Sequence, residues 1–267
     1  QFATLAASMI GVGTFGNLLA SYPMAFAENM IGWRATMLCL AALCALIALG
    51  VQLTVKDPKK AVSEAKGSLL DVLRIPAVWL IAPIAIVGYV PAAAIRGAWM
   101  GPFLSDVHGL TSAQIGTAAL VMGIAMIGGV FLYGPLDRWF GTRKWVALIG
   151  NLLGGAGCLI LAAAPASGLV QATLLMAVVG FMGASFAVLI AHARSFIPAH
   201  LTGRGVTLMN LFGIGGVGVL QLVTGRLFAA SGATTQPVAA YATTFLIYGG
   251  ALLIGCAFYL FARDSTD

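Results

Sequence analysis

The chain has 267 residues, 60% of them hydrophobic and 8% charged, with a formal net charge of +6. A soluble domain is about 25% charged, so these residues cannot cover a water-facing surface. Composition excludes a soluble enzyme, a disordered segment, a coiled coil and a nucleic-acid-binding domain. It leaves an all-α polytopic membrane protein.

A bilayer core about 30 Å thick takes about 20 mostly apolar residues per helical span, and every backbone polar group within it must bond inside its own segment. Cutting the chain at charges, Pro/Gly clusters and polar punctuation predicts eight spans, near 3–26, 33–54, 76–104, 112–136, 145–164, 168–193, 205–230 and 238–262. The chain opens at Gln1, directly before an apolar run and without a charged n-region or cleavage site. That run reads as a membrane span and not as a signal peptide, and the chain as the remainder of a longer one. Residues 55–73 form the one substantial polar connection, with four Lys and a Pro, Gly and Ser content that suits a linker between bundles. The uncharged stretch from Trp145 to Ala193 is divided at 164–168 by Ala-Pro-Ala-Ser-Gly, and 231–237 separates the last two spans. Cys39, Cys44, Cys158 and Cys256 all lie in apolar runs and read as packing residues.

Charges fall in the connections on alternate sides. Lys56, Lys59, Lys60, Lys66, Arg74, Arg138, Arg143, Lys144, Arg194, Arg204 and Arg263 place 11 of the 14 basic residues on one side. The positive-inside rule makes that side cytoplasmic, with both ends of the chain there. The positive charge is then a topology signal, not the mark of an anionic macromolecular partner.

Three stretches resemble the major facilitator superfamily. Gly134-Pro-Leu-Asp137-Arg138-Trp-Phe-Gly141-Thr-Arg143-Lys144 is similar to the Gly…Asp-Arg…Gly…Arg-Lys loop between the second and third helices of each half. Residues 103–116 resemble the turn between helices seven and eight, and Pro198 to Gly205 the opening of helix eleven. The resemblance implies a helical bundle with about 8 of 12 transmembrane helices present. Residues 1–54 would be the last two helices of the N-terminal half, 55–73 a cytoplasmic linker and 74–267 the C-terminal half, completed by N-terminal helices of the same chain. It implies a secondary transporter in an inner (plasma) membrane, alternating access between two halves, and no cofactor. Its partners would be a small solute and the lipid bilayer; no protein partner can be named.

Candidate residues follow from what is costly in lipid. An ionisable side chain within a span costs about 2.5–3.5 kcal/mol on insertion scales, and Arg96 is the clear case. At helical spacing it shares a face with Tyr89, Ala92, Ala93, Trp99, Met100 and Phe103. One reading is an anion-binding arginine in a cavity shaped by Tyr89 and Trp99; the surroundings are weakly similar to organophosphate transporters. The other is an arginine snorkelling to the outer interface or pairing with Asp106. Asn210 is a polar group in apolar surroundings and a further substrate-contact candidate. No Asp or Glu lies deep in any predicted span, and His192 reads as an interfacial structural residue. Asp137, Arg138 and Arg143 are candidates for a charge network that holds one state closed. No catalytic residues and no metal-ligand spacing are found, so the chain reads as a non-enzyme. The lean is to an organic or phosphorylated anion as solute. Alternatives are a carrier of neutral or hydrophobic compounds and a transporter-like solute sensor.

Overall fold

A computed structural model describes Gly16 and residues 22–55, 68–231 and 235–265. The chain divides into two units, 1–66 and 67–267, and the division falls inside the polar connection.

In the first unit, α1 covers Tyr22–Thr54. Gly32 interrupts it with a positive φ of 79°, a conformation that glycine adopts without steric cost. The break falls between the first two predicted spans, and most of the first of these, 3–26, lies outside the described residues. Cys39 and Cys44 are exposed on α1.

The second unit is a helical bundle. Ser68 caps the short α2 (Leu69–Leu73) in a capping box with Asp71. Pro76 then opens α3 (Pro76–Val87), followed by α4 (Val90–Ala94), a π turn (Ile95–Trp99) and α5 (Met100–His108). These pieces together make one membrane-length stretch, 76–108. Gly109 ends it in the left-handed conformation, and Thr111 and Gln114 box the start of α6 (Ser112–Phe140). α7 (Lys144–Ala163), α8 (Leu169–Gly183), α9 (Ser185–Arg194), α10 (Thr202–Ala230) and α11 (Pro237–Tyr259) complete the unit. Seven stretches among the described residues are long and apolar enough to cross a membrane. The helix of the fourth predicted span, 112–136, runs a few residues further. Asp137 to Phe140 continue the helix, and the turn is made at Gly141 with φ 63°.

Apolar side chains cover the outside, as lipid permits: Ile124, Phe131, Ile214 and Ile254 are all more than 60% exposed. Lipid tails are as apolar as leucine, so helices associate through close packing. At Gly216 of α10 a Cβ would overlap the carbonyl oxygen of Ile86 on α3. Buried side chains form two clusters. One surrounds Tyr133, Ala147, Leu189, Cys256 and Tyr259 near the basic end of the bundle. The other surrounds Trp99, Phe103, Cys158, Tyr241 and Tyr248 toward the far end.

Candidate functional site

The helix through Arg96 is broken twice, and its sequence explains the first break. Pro91 has no N–H and its ring crowds the carbonyl four residues back, so α3 ends at Val87 and α4 starts afresh beyond Gly88 and Tyr89. A Cβ on Gly88 would sit 2.8 Å from the Ile84 carbonyl oxygen and 2.9 Å from Asn151 Oδ1. Asn151, buried in α7, donates Nδ2–H to the carbonyl of Ala147 (2.8 Å) and to Ser185 Oγ (3.1 Å). Ser185 stands just beyond a second broken helix, where α8 gives way to α9 at Ala184. A Cβ on Gly183 would overlap that of Ala92, so the two interrupted helices cross close to their breaks.

Tyr89, half-buried at the first break, stacks on Phe186 with centroids 5.6 Å apart and planes 28° apart. The Phe186 ring fills the space a side chain on Gly213 would need. Asn210 precedes Gly213 by three residues and so shares its face of α10. It is half-buried and donates Nδ2–H to the Val206 carbonyl at 3.1 Å. Tyr89 is thereby brought to the same neighbourhood as Asn210.

Arg96 lies in the π turn, half-buried, with its guanidinium against Gly123 of α6: a Cβ there would be 3.7 Å from Nη2. Gly123 is about 16 Å along α6 from Ser112, at 1.5 Å per residue. Single π turns inside α-helices are frequent at functional sites. This one also decides where Trp99 goes. An added residue in the turn rotates the downstream residues by about 100° relative to a regular α-helix. Trp99 is therefore buried, donating Nε1–H to Tyr248 Oη at 2.7 Å and packing on Phe228 at 5.0 Å. Met100 and Phe103 are also buried. Of the face read from regular spacing, Tyr89, Ala93 and Arg96 stay half-buried, whereas Ala92, Trp99, Met100 and Phe103 turn into the core. Asp106, a candidate partner for Arg96, accepts a 2.6 Å hydrogen bond from Tyr241.

At the basic end, Asp137 and Arg143 meet across the α6–α7 turn, Nε to Oδ2 3.2 Å, both side chains 16% exposed. Arg138 is exposed. The structure adds a set of partners that sequence reasoning missed. Asp264, beyond α11, accepts from the Thr142 hydroxyl and from the Lys144 amide (3.0 Å). Lys144 Nζ donates to the Leu260 carbonyl at 2.7 Å. His192 is fully buried. Its Nε2–H reaches the Arg263 carbonyl at 3.0 Å, which leaves Nδ1 to accept from Tyr259 at 2.6 Å. Burial works against ionisation of Asp264, yet the Thr142 hydroxyl, the Lys144 amide and the nearby His192 hold its carboxyl below the usual range. The segment 260–265 is thus clamped to the turn that carries Asp137 and Arg143. The signal in the sequence was faint: an Asp and an Arg directly after the last apolar run. Among the described residues no group of three or more His, Cys, Asp or Glu is placed to hold a metal.

The fold is similar to that of a solved membrane transporter. The chain matches the solved structure of a bacterial homologue of the human lysosomal transporter Spinster, in an inward-facing and unoccupied conformation. The TM-score is 0.62 at 19% identity, over 93% of this chain and 64% of that one. No family model matches the sequence, and no curated protein matches it. The likeness shows the fold, the seven membrane-length apolar stretches mark an integral membrane protein, and this chain spans 64% of the length of the solved relative.

Proposed function

We propose that this chain is part of a secondary active transporter that moves a small organic or phosphorylated anion by alternating access, with Arg96 as the anion-binding group. The observation that carries the reading is the Arg96 guanidinium against Gly123. α6 has 29 residues, about 43 Å, against a hydrocarbon core of about 30 Å. A contact about 16 Å from its end lies in the hydrocarbon, below the depth from which an arginine snorkels. A cation at that depth is costly unless it faces protein or a water-filled cavity. Tyr89 and Asn210 would flank the solute. Trp99 acts from the core, holding the π turn in place through Tyr248. The second half of the cavity would come from N-terminal helices of the same polypeptide, and the basic end would face the cytoplasm of a bacterial-type inner membrane.

Arg96→Ala in the complete gene product should abolish uptake into vesicles, at unchanged membrane insertion and gel-filtration profile. Uptake at the normal rate would remove the anion assignment, and solute binding without flux in the unchanged protein would favour a sensor. Asp137, Arg138 and Arg143 form the proposed gate. Asp137→Arg places four cations at that turn, with Arg138, Arg143 and Lys144, and should shift the inward/outward population, read by cross-linking across the basic end.

A further inference from the structure

α6 and α7 are joined by a tight turn at Gly141 to Arg143, yet they touch each other little and lean instead on α8. The splay leaves a groove of about 440 Å³. Its walls are Leu132, Leu136 and Phe140 on α6 and Trp145, Ile149 and Leu153 on α7, with Phe181 and Met182 of α8 as its floor. Along α6 and along α7 the lining residues recur every four positions, one stripe of each helix. Each stripe runs over nine residues, eight steps of 1.5 Å or about 12 Å. The volume is within the roughly 300–1,000 Å³ of sites that hold one small ligand.

The walls are mostly apolar: the Tyr133 hydroxyl among them is spent on Met182 Sδ at 3.3 Å, and the remaining polarity is at one end. Thr142 stands at the mouth, and the Lys144 ammonium lies 5.2 Å from the centre of the Trp145 ring. Lys144 has three N–H donors, of which one goes to the Leu260 carbonyl. The acids nearby are engaged: Asp137 with Arg143, and Asp264 with Thr142 and the Lys144 amide. Phe140 and Trp145 are about half exposed or more, as aromatic residues are at a membrane–water interface. An apolar trough about 12 Å long, enough for the upper carbons of an acyl chain, with a cation at its interfacial end, has the complement of an anionic phospholipid. Basic pockets between transmembrane helices hold such headgroups elsewhere.

We propose that this groove is a binding site for one anionic phospholipid, its acyl chain lying between α6 and α7 and its phosphate on Lys144. The occupied groove would brace the two helices whose connecting turn carries Asp137, Arg143 and the clamp on Asp264. This site is independent of the solute and of Arg96.

The test is native mass spectrometry of the full chain, released from detergent micelles containing equal amounts of phosphatidylglycerol and phosphatidylcholine with identical acyl chains. The unchanged protein should retain phosphatidylglycerol over phosphatidylcholine by about five-fold, the effect of one lysine near a phosphate. Lys144→Gln should bring the two to parity. Leu153→Trp fills the groove from an exposed position and should lower retention of both lipids, while Arg96→Ala should leave the preference intact. Glycerol phosphate without chains should not compete, which separates a lipid from a free phosphate. Equal retention of the two lipids by the unchanged protein would overturn the proposal. So would an undiminished phosphatidylglycerol adduct on Leu153→Trp that runs normally on gel filtration.

Discussion

The two ends of the bundle are closed by different chemistry. At the far end, Trp99 donates to Tyr248, Tyr248 shares a hydrogen bond with Thr224 (3.0 Å), and Phe103, Phe228 and Tyr241 pack around them edge-on or tilted. These groups are neutral and mostly buried. At the basic end, closure runs through carboxylates, cations and backbone groups of Asp137, Arg143, Lys144, His192 and Asp264, several of them part-exposed. Aromatic packing loses its stabilisation only when the rings separate. A charged clamp answers in addition to protonation and salt. The bundle is thus built with one end that solution conditions reach and one that they do not.

Two buried thiols report on the two ends separately, Cys256 in the cluster at the basic end and Cys158 in the cluster at the far end. With Cys39 and Cys44 replaced by serine, labelling rates at each give an independent reading. Gly216→Val should erase the contrast altogether. Its side chain would overlap the Ile86 carbonyl, a cost of more than about 3 kcal/mol for forcing atoms into a filled interface. Both thiols should then label quickly. Trp99→Ala should cost about 3–5 kcal/mol and accelerate Cys158 far more than Cys256. Equal acceleration of both would mean that the clusters open as one. Asp264→Asn should be the mildest, about 1 kcal/mol for weakened hydrogen bonds, with Cys256 alone affected. The pH response should match it. The folded Asp264 carboxyl titrates below its unfolded value of about 3.9. The clamp is therefore at full strength above about pH 4 and is lost as pH falls through the lowered folded value. Cys256 labelling should rise in that range without a matching rise at Cys158.

Much of the fold is legible in the sequence. Spans two to eight sit within a few residues of their predicted positions, and the Gly141 turn falls inside the loop that resembles a known motif. The candidate site is legible only in part. Arg96 stands out because a cation among apolar residues is rare, and Asp137 and Arg143 because of their spacing. Regular spacing puts Trp99 on the wrong face. A 3.6-residue period cannot announce a π turn, although Pro91 and Gly97 on either side of its start are weak hints. The Asp264–Thr142 pairing links residues 122 positions apart, and no local pattern encodes such a contact.

The sequence by itself determined the solvent and the places of seven of the eight predicted crossings. Transfer into lipid is a sum of per-residue terms over about 20 neighbours, and such a sum can be read without knowing any contact. The tertiary structure decided which face of each helix meets protein, where Arg96 and Trp99 point, and what holds the two ends. In lipid an inward face need be no more apolar than an outward one. The choice rests on where a missing side chain lets backbones touch, as at Gly183 and Gly216, and on partners that only folding brings within reach.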